Sequence, residues 1–140
     1  MGRILAIDYG TKRVGLAVTD NLKMIANALT TLHSKDVLPY LKAYTSHEDV
    51  ECFVVGEPKN MDGTSSESEQ CIQAFINLLK KSFPAIPVNR YDERFTSKMA
   101  MQTLYDAGLK KKDRQKKELL DSVSATLILQ SYLENSIIKK

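Results

Sequence analysis

The 140-residue sequence contains no tryptophan, two cysteines, two histidines, four prolines and six glycines, and only 7% of it is aromatic. Each shortage removes a class of protein. Cys52 and Cys71 lack CxxC spacing, which argues against a disulfide scaffold and a thiolate zinc site. One falls in a strand-like segment and the other in a helix-like one, so both read as reduced core thiols. His33 and His47 show no metal-ligand spacing, which argues against zinc held by imidazoles. No apolar stretch approaches the roughly 20 residues a membrane helix needs. The N-terminus lacks a signal-peptide pattern, and Ala6 stands where a myristoylation motif requires Ser or Thr. The expectation is a cytoplasmic protein with no membrane partner.

What is present suits an ordinary folded domain. The chain is 43% hydrophobic and 26% charged, which excludes wholesale disorder. Its length suits one domain over residues 1–140, and it has no internal repeat and no linker. Net charge is +3, from 20 basic and 17 acidic residues, too mild to establish a nucleic-acid partner. Six of the 20 basic groups nevertheless lie in residues 110–117. Such a run reads first as a solvated loop, and it gains functional meaning only beside the chemistry.

The opening stretch carries the most information. An apolar run from Arg3 ends in Asp8, turns at Gly10 and returns through Lys12 and Arg13 to Thr19. A carboxylate at the end of a buried strand costs desolvation energy unless cations or hydrogen-bond donors meet it. Beside a glycine turn and two cations it reads as a phosphate-and-metal site, the alternative being a carboxylate that caps the turn. The returning strand alternates Val14, Leu16 and Val18 with Gly15 and Ala17. One face is therefore bulky, and the other leaves room for something packed close.

Further along, Ala28–His33 reads as a third strand and Lys35–His47 as a helix, with Pro39 tolerable near its start. Glu51–Gly56 is a buried strand, and Thr64–Phe83 a helix with a Ser66/Glu69 capping box and an apolar stripe of Ile72, Phe75, Ile76 and Leu79. Ile86–Tyr91 follows as a strand whose Pro87 suits an edge. Helices over Ser97–Ala107, closed by Gly108, and over Lys117–Glu134 complete the chain. The predicted fold class is α/β, a five-stranded mixed sheet of order 3-2-1-4-5 with strand 2 antiparallel, flanked by helices.

In such a sheet the carboxyl ends of the parallel strands share one edge, where ligands gather. Asp8-Tyr9-Gly10, Gly56-Glu57-Pro58 and Tyr91-Asp92-Glu93-Arg94 meet there. Strands one and five lie about 10 Å apart across the intervening strand, and metal–oxygen bonds of about 2.1 Å let Asp8 and Glu93 share hydrated Mg²⁺ or Mn²⁺. Asp121, beside the inward stripe of the last helix, is a third candidate, or else simply serves the helix dipole. Three acids from distant segments repel each other unless a cation gathers them. A centre of two ions would activate water and steady the leaving oxygen of a phosphodiester.

Three blocks, Ile7-Asp8-Tyr9-Gly10-Thr11-Lys12-Arg13-Val14-Gly15, Val54-Val55-Gly56-Glu57-Pro58-Lys59-Asn60-Met61-Asp62-Gly63-Thr64 and Asp92-Glu93-Arg94-Phe95-Thr96, with a weaker one from Lys117 to Ser122, span nearly the whole chain. In that order they resemble the YqgF-like family of pre-16S rRNA nucleases and Holliday-junction-resolvase-like proteins. The resemblance implies a ribonuclease-H-like fold and a nuclease with Asp8, Glu93 and Asp121 as metal-binding catalytic acids. It implies structured RNA, pre-16S rRNA, as substrate. Branched DNA, as in a junction resolvase, and a non-catalytic nucleic-acid-binding module are the alternatives. Glu57 departs from the family, which often has an apolar residue there, so its relation to the metal site stays open.

Lys12 and Arg13 could hold phosphates, against ordinary hairpin solvation. Arg94 could orient Glu93 or touch the substrate, against an ion pair with Asp92. Tyr9 and Tyr91 read as core residues before they read as base-stacking platforms. The assembly expected is a monomer or weak homodimer.

Overall fold

The structure, a computed structural model, describes residues 2–10, 12–20, 25–57, 69–92 and 124–133. Five strands form one sheet: β1 (Arg3–Tyr9), β2 (Arg13–Thr19), β3 (Ala26–His33), β4 (Val50–Glu57) and β5 (Val88–Asp92). Their order is β3-β2-β1-β4-β5, as the sequence predicts. β2 runs antiparallel to β1 and β3, whereas β1, β4 and β5 are mutually parallel. The helices are α1 (Val37–Thr45), α2 (Glu69–Ser82) and α3, residues 124–133.

Two apolar layers grow from strand alternation. On one face Leu5, Ile7, Val14, Leu16, Val18, Phe53 and Val55 pack with Val37 and Leu41 of α1 and Ile72, Phe75, Ile76 and Leu79 of α2. Complete burial of such side chains stabilises by about 1.5–3 kcal/mol each. On the other face Ala6, Ala17, Cys52 and Val54 meet Ala125, Ile128 and Leu129 of α3. The close approach predicted from Gly15 and Ala17 is thus the seat of the C-terminal helix.

Several boundaries move. β3 begins at Ala26, two residues earlier than expected, and β5 starts at Val88 because Pro87 has no N–H for the ladder, although its carbonyl accepts from Phe53 N–H at 2.9 Å. α1 is preceded by a short 3₁₀ turn over Ser34–Asp36, and Pro39 falls within its first turn, where no helical N–H bond is lost. Cys52 is buried, but Cys71 is exposed, against the expectation of two core thiols. Cys71 lies one residue before the Ile72 stripe, and a rotation of about 100° per residue carries it off the apolar face. The helix expected over Ser97–Ala107 and the basic run at residues 110–117 lie outside the described residues, as does the Ser66 half of the capping box. No described helix is long and apolar enough to cross a membrane.

The amino-terminal edge of the sheet is closed by hydrogen bonds. Thr19 is fully buried, and its hydroxyl accepts from Ile4 N–H at 2.9 Å. Arg3 donates from Nη1 to Thr19 O at 2.9 Å and from Nε to Glu48 Oε2 at 3.1 Å.

Candidate active site at the carboxyl edge

At the opposite edge lie the carboxyl ends of β1, β4 and β5, the hairpin joining β1 to β2, the turn after β3 and the first turn of α2. The hairpin is tight. Gly10 N–H donates to Arg13 O at 3.0 Å. A Cβ on Gly10 would stand 2.6 Å from that same carbonyl oxygen, so only glycine fits. Ser34 N–H donates to Lys12 O at 3.1 Å and ties the loop to the turn after β3.

Asp8 is half-buried near the end of β1. Its partner on β2 is Gly15. On β4, Ile7 pairs with Val55, so the next residue, Gly56, stands beside Asp8. Both positions level with Asp8 on the neighbouring strands are therefore glycines. Alternation assigns its face: Ala6, two residues earlier, packs under α3, so Asp8 belongs to the α3 side. Arg13, Gly15 and Ala17 share that side of β2, placing Arg13 on the same face as Asp8, while Lys12 is exposed in the loop.

The same phase answers the question about Glu57. Phe53 and Val55 face α1 and α2, so Glu57, next in that series, belongs to the face opposite Asp8. Asp92 is its register partner on β5 and shares that side. Asn89 and Tyr91 take the other side. Asn89 Nδ2 donates to Cys52 Sγ at 3.2 Å and to Tyr132 Oη at 3.0 Å, fastening β5 to α3. Burial pushes the Cys52 thiol above its usual range, and the Asn89 contact pulls it partly back.

Both tyrosines pack within the fold. Tyr9 stacks on Phe75 at 4.5 Å between centroids, and Tyr91 meets Tyr132 edge to face at 6.5 Å. Of the acids expected to hold metal, Asp8 is described, whereas Glu93 and Asp121 lie outside the described residues, as does Arg94. Among the described residues no group of three His, Cys, Asp or Glu side chains converges.

One residue at this edge escaped the sequence reading. Arg90, on the α2 side of β5, pairs with Glu69 through Nη2–Oε1 at 2.8 Å and Nη1–Oε2 at 3.1 Å. It also donates to Val55 O at 3.3 Å and Gly56 O at 3.1 Å. The one signal in the sequence was a guanidinium at the inward phase of a strand, two residues from Val88.

Comparison with known proteins agrees with this architecture. The family model described as "RuvX: Holliday junction resolvase" matches residues 2–135. A protein of Christiangramia forsetii named "Putative pre-16S rRNA nuclease" is 56% identical over 133 residues, covering 95% of this chain and 98% of its own. A Bacteroides thetaiotaomicron protein of the same name is 52% identical, covering 96% and 98%. Among solved structures, Thermus thermophilus RuvC with a Holliday junction substrate superposes with a TM-score of 0.56 at 16% identity, over 95% of this chain and 96% of that one. A second Thermus thermophilus RuvC structure gives the same TM-score at 17% identity, over 96% of each chain. At such identities the likeness is one of fold, the ribonuclease-H-like fold expected from the sequence. With the family model spanning nearly its full length, the chain belongs to the RuvX family.

Proposed function

We propose that the protein is a metal-dependent endonuclease that hydrolyses phosphodiester bonds in structured RNA, trimming the 5′ end of pre-16S rRNA in ribosome biogenesis. The observation that carries this reading is Asp8 on the carboxyl edge with glycine on both neighbouring strands. Glycine at both register positions leaves no Cβ level with the acid on either strand, room that suits bound ions and that a turn cap does not require. The relatives named as pre-16S rRNA nucleases supply the substrate class. Acting on ribosomal precursor RNA sets the work in the cytoplasm, with residues 1–140 serving as one domain.

The residues suit hard divalent cations. Asp8, Glu93 and Asp121 would hold two Mg²⁺ or Mn²⁺ ions, since carboxylate oxygens match such cations. Glu93 follows Asp92, the last residue of β5, directly in the sequence. Asp121 precedes residue 124 of α3 by three positions in the sequence. Bound there, the ions supply Lewis acidity and lower the pKa of a coordinated water. Lys12 and Arg13 would take phosphate oxygens beside the scissile bond, Arg13 through its planar fork. Arg94 would hold the substrate backbone near Glu93.

The test is cleavage of a precursor RNA by the purified chain with Mg²⁺ or Mn²⁺. Asp8→Asn is expected to lower the rate at least about 100-fold, in line with the loss of a group that organises the reacting atoms. The variant should still fold, which its far-UV circular dichroism and a cooperative urea transition would show. Cleavage at the wild-type rate by this variant would remove the assignment. A second reading, DNA junction resolution, draws on the family description and on the RuvC complex. Direct competition between a four-way DNA junction and the RNA precursor separates the two.

A further inference from the structure

Glycine beside Asp8 brings room and a drawback, because glycine has the most backbone freedom of any residue. Gly56 is followed by Glu57, where β4 ends, and it has no side chain of its own to hold this end of the strand. The Arg90 guanidinium compensates. It reaches the carbonyls of Val55 and Gly56 and grips both carboxylate oxygens of Glu69 in the first turn of α2. Four hydrogen bonds from its five N–H donors are thus made within the fold. The pair is largely shielded, at 21% side-chain exposure for Arg90 and 14% for Glu69. A carboxylate at a helix N-terminus is itself favoured by the dipole, and the bidentate fork fixes direction as well as distance.

The geometry points to Arg90 as a positioning residue of the nuclease site. It holds Gly56, the strand neighbour of Asp8, and the last residues of β5 leading to Glu93, and it locks both to the start of α2. Its role is to position rather than to bind substrate, because four of its five donors are committed to the protein. A lysine in its place could not reproduce the arrangement, since a single ammonium cannot span two carbonyls and a carboxylate in a plane. The inference rests on the nuclease reading for its kinetic consequence, but its structural part stands apart from it.

The experiment uses the full chain as wild type, Arg90→Met, Arg90→Lys and Glu69→Gln, with residue-resolved amide exchange and RNA cleavage measured on each. Arg90→Met should raise exchange at Gly56 and Glu57 about tenfold or more while Leu5–Ile7 stay unchanged, the pattern of local opening. Its kcat should fall about 10- to 100-fold with KM within about threefold, as expected when reacting groups are misplaced and binding is not. Arg90→Lys should recover part of kcat. Glu69→Gln, which leaves the guanidinium its carbonyl partners, should give the same pattern in weaker form, and it serves as the test if Arg90→Met does not fold. Unchanged exchange at Gly56, a loss confined to KM, or a uniform rise across the whole sheet would overturn the proposal. If wild type itself leaves RNA intact, the nuclease reading fails, and the exchange arms still decide whether Arg90 holds this edge.

Discussion

The two faces of the sheet are built on opposite plans. Under α1 and α2 the strands present leucine, isoleucine, valine and phenylalanine. Under α3 they present alanine, cysteine and valine, then Asp8 between two glycines. The bulky face is where stability comes from. The lean face gives up volume so that a helix can lie close, and it carries a carboxylate level with two glycines at its end. Division of labour by strand alternation explains why one seven-residue strand serves both purposes, since Leu5 and Ile7 go one way and Ala6 and Asp8 the other.

Three substitutions sharpen or break that comparison. Phe53→Ala, at the fully buried centre of the bulky face, should cost about 3–5 kcal/mol in urea unfolding. A loss below about 1 kcal/mol would mean that this face does not dominate stability. Ala17→Leu on the lean face should destabilise by about 1–3 kcal/mol through overpacking against α3. It should also loosen α3 in amide exchange before the bulky layer opens. Indifference to the added volume would show that α3 is not held close.

The smallest effect concerns the thiols, and Cys52→Ala is the third substitution. Exposed Cys71 should react with a thiol reagent in the native state, and buried Cys52 should not. Burial holds the Cys52 thiol neutral in the fold, with its pKa raised. That contribution is fully present below the unfolded thiol pKa of about 8.5 and is lost as pH rises through the folded value. The melting temperature should therefore decline above about pH 8.5, and less steeply in Cys52→Ala. Tyr44, also raised by burial, adds a similar decline above its ordinary value of 10.0.

Much of this was legible in the sequence because it was local. The order of the strands followed from two antiparallel connections and two crossovers, and the room left by Gly15 and Ala17 announced the docking of α3. The facing of Glu57 could have been read too, once Phe53 and Val55 set the phase of β4. Arg90 could not. Its partner Glu69 lies 21 residues away, and nothing in either local pattern names the other. The Asn89 link between Cys52 and Tyr132 was hidden for the same reason, its two contacts spanning 37 and 43 residues.

The reversal at Gly10 has a bearing on how this protein can vary. Main chain alone, closed by one amide and one carbonyl with no space for a methyl group, sets how far the returning strand stands from Asp8. Exchanging the exposed Lys12 for another residue would therefore change the charge of the loop while the backbone spacing of the two strands is kept. Under the proposed function, the charge offered to a polyanion at Lys12 becomes adjustable apart from the strand spacing at Asp8, so drift in one need not disturb the other.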